Sequence, residues 1–229
     1  MKKTVEPTPT GRPYGGVAHE ERAAERHQAL IQAATQVFGT VGFRKATVRS
    51  ICQRARLNDR YFYAAFDSID HLLRATYEHH ARRLHTALQQ ALEKPLDRID
   101  DRIDAGLRAF FAFLRDTCAA RVLMLEVLGI NAETDATYQR NLAEFAKQII
   151  AFADQDTQNA LGDHADQRIV GIALVGAMTS AGMAWLLSDY RDCEETMVRN
   201  CRQVLLGTYA YAIEQARAAA KSARSTIPR

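Results

Sequence analysis

Cysteine is scarce, four residues in 229, and Cys52, Cys118, Cys193 and Cys201 form no C-x-x-C pair and no histidine spacing of the kind a zinc site uses. Neither a disulfide framework nor a structural metal is expected, and a reducing cytoplasm is the simplest setting. Strand patterning is also nearly missing, with no period-two runs and few hairpin dipeptides. No Gly-rich phosphate loop, G-x-S-x-G or H-E-x-x-H occurs, and the adjacent His79 and His80 point about 100° apart on a helix, too far to share a metal. The expectation is a protein without catalytic residues, metal or cofactor. The first twenty residues carry Lys2 and Lys3 but then Pro, Thr and Gly in place of an apolar stretch, so they do not read as a secretory signal.

What is present is helix. Hydrophobic residues make up 47% of the chain, enough for a sizeable core, and Ala, Leu, Arg, Glu and Gln recur at helical period. The chain is expected to be all-α, with about nine helices. Residues 1–19 read as a disordered arm, 20–67 as a small N-terminal unit, 68–220 as a larger helical domain with 68–94 as connecting helix, and 221–229 as a frayed tail. A first helix is expected from Glu20 to Gly39, short helices from Thr47 and from Asp59 to Phe66, and a long one from Ser68 to Lys94, stopped by Pro95. Further segments are Asp97–Arg115, Ala119–Gly129, Thr134–Asp154, Asp163–Leu187 and Asp192–Ala220. Ile169–Leu187 is uncharged and about as long as a bilayer span. Gly171, Gly176, Gly182, Thr179 and Ser180 dilute it, which favours a helix buried by protein on most sides.

Charge is uneven. Residues 1–80 hold 12 Lys/Arg against 8 Asp/Glu, leaving 18 against 19 for the rest. Arg44, Lys45, Arg49, Arg54, Arg56 and Arg60 sit within seventeen residues that hold one acid, Asp59, the local field that phosphate binding needs. A solvated basic helix face would look the same. Geometry narrows the choice: Val48, Ile51, Cys52 and Ala55 give one short helix an inner face, and Asn58 can cap a second in which Phe62 and Phe66 face inward. Two short helices across a tight turn, behind a packing helix, meet the requirements of a helix-turn-helix.

The stretch Ala34-Thr35-Gln36-Val37-Phe38-Gly39-Thr40-Val41-Gly42-Phe43-Arg44-Lys45-Ala46-Thr47-Val48-Arg49-Ser50-Ile51, followed by Tyr63, Phe66 and Leu72-Leu73, closely resembles the signature of the tetracycline-repressor (TetR) family. The resemblance covers about Arg26 to Tyr77. It implies that Thr47 and Arg49 meet DNA backbone phosphate, and that Asn58, Asp59, Arg60 and Tyr61 lie at the exposed start of the recognition helix; Arg44 and Lys45 of the basic cluster count with them as DNA-binding residues. Tyr63 falls on the family's DNA-contacting tyrosine. Arg60 is the best base reader, since a guanidinium can grip guanine O6 and N7 together; Asp59 reads as a helix-dipole partner. Three positions depart from the pattern. Arg56 stands where the family has its turn glycine, so its backbone must enter the left-handed region or the turn must differ. Asp67 and Ile69 replace lysines expected on phosphate. Lys2, Lys3 and Arg12 could compensate from the arm, by way of the minor groove.

The resemblance further implies a homodimer on a palindromic operator of double-stranded DNA, released by a small-molecule effector. A repressor answering an apolar or amphipathic molecule follows. Phe110, Met124, Phe145, Met178 and Trp185 form a soft aromatic and methionine lining, with Glu126, Tyr138 and Thr179 as polar groups that could orient a ligand; core packing is the plainer account of the apolar ones, and a salt bridge or internal hydrogen bond that of the three polar ones. Gly171, Val175 and Gly182 with Leu205 and Tyr209 suggest a two-fold four-helix interface, against intramolecular packing as the competing account. No membrane partner is expected. The alternative is a helical protein-interaction or membrane-associated module without DNA binding, which accounts for the apolar helices but not for the basic segment.

Overall fold

The computed structural model describes residues 14–93, 98–153, 155–162 and 165–225, with backbone alone for 14–19 and 219–225. Among them are ten α-helices and no strand: α1 (Tyr14–Val41), a 3-10 turn (Phe43–Lys45), α2 (Val48–Ala55), α3 (Asp59–Tyr63), α4 (Ile69–Leu92), α5 (Ile99–Leu114), α6 (Thr117–Met124), α7 (Ala132–Ile150), α8 (Gln155–Gly162), α9 (Gln167–Leu187) and α10 (Glu194–Ser225).

α1 to α3 with the start of α4 build the N-terminal unit around Leu30, Ala34, Phe38, Ile51, Phe62, Phe66, Leu72 and Leu73, all buried. Removing an aromatic such as Phe62 from water contributes about 1.5–3 kcal/mol, which anchors a five-residue helix too short to stand alone. α1 runs past both expected ends. Gly39 lies inside it, because α6 crosses there so closely that a Cβ would sit 2.5 Å from the Cys118 Cα. Gly42, at φ +85°, ends it. Residues 14–19 of the expected arm are helical; Lys2, Lys3 and Arg12 lie outside the described residues, as does Pro95.

α4 joins this unit to the body, entered through Ser68, whose hydroxyl accepts from the His71 N–H at 3.1 Å. In the body α5 packs on α4 and α10, and α7 packs along α9. α6 ends at Met124 rather than Gly129. α8 was not expected; its Thr157, Ala160 and Leu161 are buried. α10 continues to Ser225, beyond the expected start of fraying. α9 is long and apolar enough to cross a membrane, yet one third (33%) of its most apolar window is buried, so it is less enclosed than its composition suggests.

Candidate nucleic-acid interface and ligand cavity

Thr47 caps α2 in a reciprocal pair: its hydroxyl accepts from the Ser50 N–H and the Ser50 hydroxyl accepts from the Thr47 N–H, both at 3.1 Å. That capping box fixes the entry of α2. Arg56 closes the helix at φ 56°, ψ 38°, the left-handed conformation that the missing glycine demanded. Leu57 N–H then bonds back to the Cys52 carbonyl, and the chain turns into α3. Asn58 occupies the N-cap of α3 without a side-chain cap bond. The Cys52 thiol is pushed up to about 11 by burial and by Asp59 beside it, so it stays protonated and packs as core.

Arg44, Lys45, Thr47, Arg49, Asn58, Arg60, Tyr61 and Tyr63 are all exposed. Tyr63 is 62% exposed while its neighbour Phe62 is fully buried. A large aromatic ring left in water at the end of a short helix in a basic segment is the kind of surface a groove covers. Tyr61 is partly engaged by α1, where the Arg26 guanidinium lies 4.9 Å from its ring centre. Arg26 thus joins the same face, a position that sequence pattern gave no reason to select.

A left-handed arginine carries a cost of about 1–2 kcal/mol relative to an unstrained backbone. Arg56→Gly is expected to stabilise the unit by about 0.5–1 kcal/mol net of glycine's greater freedom when unfolded. The same change should weaken DNA binding by removing a charge. Thermal unfolding and a binding titration give the two signs; lower stability in the variant would refute the strain.

The body holds a partly open cavity of about 90 Å³. Phe110, Met124, Tyr138, Phe145, Met178 and Thr179 line it together with Tyr77, Leu84 and Leu88 from α4, Gln148 and Phe152. None of the described lining residues is Asp, Glu, Lys, Arg or His. The α4 residues had looked like one more core stripe. Burial holds the Tyr77 and Tyr138 hydroxyls above the usual tyrosine range, so both are neutral.

Two of the expected pocket residues lie elsewhere. Glu126 faces the N-terminal unit, its Oε2 accepting from the Phe43 N–H at 2.8 Å. Trp185 fills the body core, donating from Nε1 to the Asp192 carbonyl at 2.8 Å. All five expected interface residues are turned inward. A Cβ on Gly171 would lie 2.7 Å from the Ala146 carbonyl oxygen, and one on Gly182 2.7 Å from Leu114 Cδ1. Val175 lines the cavity, Leu205 is buried, and Tyr209 donates from its hydroxyl to the Ile149 carbonyl at 2.6 Å. The small-residue ridge serves close packing of α9 against α7 and α5. The solvent side of α9 instead presents Ile169, Ala173, Ser180, Ala184 and Leu187, and that of α10 presents Val204, Gly207 and Tyr211.

A basic helix-turn-helix leading by one long helix into an all-helical body with an apolar cavity defines a class, the two-part helical transcription-regulator fold. Residues 30–76 match the sequence model of the bacterial regulatory proteins, tetR family. The match covers the helix-turn-helix, and the whole chain has a TetR-like fold. The fatty acid degradation regulator FadR from Bacillus halodurans superposes with a TM-score of 0.68 at 19% identity, covering 80% of this chain and 95% of its own. FadR from Bacillus subtilis, solved in complex with stearoyl-CoA, gives 0.66 at 16% identity over 78% and 96%. A transcriptional regulator from Pseudomonas aeruginosa PAO1 gives 0.65 at 20% identity over 84% and 92%. No curated protein sequence matches the chain.

Proposed function

We propose that the protein is a dimeric repressor whose operator is released by an apolar or amphipathic molecule bound in the body. Residues 20–67 act as the DNA-binding unit and 68–220 as the ligand-binding and dimerisation domain. The observation that carries this is one chain holding an exposed basic recognition face and a cavity lined without charged residues, with α4 packed in the core of the first unit through Leu72 and Leu73 and lining the second through Tyr77, Leu84 and Leu88. A carboxylate in that cavity would be a buried charge without a partner, which costs several kcal/mol. The part of the occupant that enters it is therefore uncharged; an acyl chain is a group of that kind, and the stearoyl-CoA of the Bacillus subtilis neighbour supports that class. The uncharged outer stripe of α9 with Val204, Gly207 and Tyr211 of α10 is the surface for a second copy.

Arg60 reads a base, Tyr63 and Tyr61 contact the groove wall, and Arg44, Lys45, Thr47 and Arg49 hold phosphate. In a dimer the recognition helices meet successive major-groove faces about 34–36 Å apart, so a small pivot of α4 spoils both half-sites. Selection of bound sequences from random DNA tests the proposal. A palindrome with half-sites about one helical turn apart is expected, and Arg60→Ala should relax preference at one base pair per half-site at a cost of about 1–3 kcal/mol. Recovery of no consensus would overturn the DNA-binding role; an unpaired half-site would overturn the dimer.

A further inference from the structure

Buried polar side-chain atoms almost always find a hydrogen-bond partner, and one that does not calls for a physical reason. Among the described residues five such atoms have none, and two of them, Gln148 Oε1 and His85 Nδ1, belong to neighbouring side chains beside the cavity. Gln148 of α7 lines the cavity. Its Nε2 donates to the His85 carbonyl of α4 at 3.2 Å, which ties the two residues together. The His85 ring stacks on Phe145, another lining residue, with ring centres 4.7 Å apart and planes inclined by 18°.

The Nε2 bond fixes the carboxamide. Turned over, it would set its oxygen against the His85 carbonyl oxygen, so Oε1 is held as an acceptor that needs a donor. Burial holds the His85 imidazole below its usual range, opposed by Glu144 and by the Gln148 side chain beside it. At neutral pH the ring is therefore uncharged, and one of its nitrogens carries the proton. With that proton on Nδ1, the pair presents one acceptor and one donor side by side. Tyr77 and Tyr138, with ring centres 6.2 Å apart, lie at the other end of the lining, since Tyr77 is eight residues before His85 on α4, about 12 Å along the helix axis.

We propose that the effector is a neutral chain bearing a hydroxyl, and that Gln148 and His85 bind that group. The hydroxyl donates to Gln148 Oε1 and accepts from His85 Nδ1–H, so one oxygen satisfies both atoms. The proposal rests on the cavity being a ligand site. A hydrocarbon offers neither bond, an ether or thioester only accepts, and an amide nitrogen only donates. A carboxylic acid ionises at neutral pH and gives up its donor. From the hydroxyl the chain runs along α4 toward Tyr77 and Met124. Selectivity follows, because a site that hydrogen-bonds a hydroxyl rejects the analogue lacking it far more strongly than an apolar pocket rejects a missing methylene.

The probes are 1-octanol and 1-methoxyheptane, chains of equal length that differ in the donor, titrated calorimetrically into the full-length protein. The alcohol should bind at least about tenfold tighter than the ether. Gln148→Met keeps the length of the side chain and loses the acceptor; it should bring that ratio below about twofold while leaving the ether's affinity within about twofold of the parent's. His85→Phe keeps a ring on Phe145 and should lower the ratio as well, which provides a second reading should the first variant fold poorly by circular dichroism. Equal affinities in the parent would mean that a water, or a direct bond between the two side chains, already satisfies the pair. A ratio that survives in both variants would place the hydroxyl elsewhere. Either result overturns the proposal and leaves the cavity standing as a ligand site. Binding of neither probe would remove the site and the proposal with it, so the two failures are distinguishable.

Discussion

Raising the salt from about 50 to about 200 mM should weaken operator binding roughly ten-thousandfold. Arg44, Lys45, Arg49 and Arg60 are all exposed, and two half-sites double them to about eight cations, about six on phosphate and two Arg60 side chains that bring their charge beside the bases they read. With each cation brought to the DNA contributing about 0.9 to the slope of log affinity against log salt, the slope is roughly −7, and a fourfold rise in salt multiplies it into four decades. Asp67 and Ile69 at the entry to α4 add nothing, so the slope should not reach much beyond that. Arg49→Ala should reduce it by about one unit per half-site and weaken all sequences alike. Arg60→Ala is expected to lower the slope and change the sequence preference too. Binding that is flat across this salt range would reject a phosphate-dominated interface on this face.

The N-terminal unit was legible because its constraints are local. Phe62 and Phe66 fall four apart, Thr47 stands three before Ser50, and Arg56 sits where the turn needs a left-handed residue; the structure has Phe62 and Phe66 buried, the capping box formed and Arg56 at φ 56°. The body was legible only as composition. Six of the eight residues expected in the pocket line the cavity, because large apolar side chains at helical period gather at the centre whatever the topology. Glu126 escaped because its partner is a backbone N–H 83 positions away, and a backbone donor leaves no trace in residue identity. Gly171 and Gly182 correctly signalled that a helix approaches closely. Nothing in a glycine says whether that helix belongs to the same chain, and here both face α7 or α5 of the same chain. α8 was missed because its eight residues are mostly polar and its inner face is small.

Acid should open the joint between the two parts through His80. This residue is 2% exposed, between α1 and α4, and its Nε2 lies 2.8 Å from the Thr35 hydroxyl, which itself donates to the Ile31 carbonyl. With the Arg83 guanidinium 3.1 Å from Nδ1, the neutral imidazole accepts from Arg83 at Nδ1 and donates to Thr35 at Nε2. Burial, helped by His79 and Arg83 and opposed by Asp116, pushes the imidazole down from 6.5 to about 4. Between those values the unfolded chain binds a proton that the native one refuses, so stability rises with pH there and is lost as pH falls from 6.5 toward 4. The full loss is about 3 kcal/mol, at about 1.4 kcal/mol per pH unit, a large share of a typical domain's 5–15 kcal/mol. His27, His79 and His85 are also lowered by burial and act in the same direction, so the isolating comparison is with His80→Gln. The variant should be the less stable protein at pH 7.5, where it lacks the bridge between α1 and α4, and should lose less on acidification, so the two denaturation curves converge near pH 5. Parallel curves from pH 7.5 to 4.5 would show that the imidazole is not the acid-sensitive part of this joint.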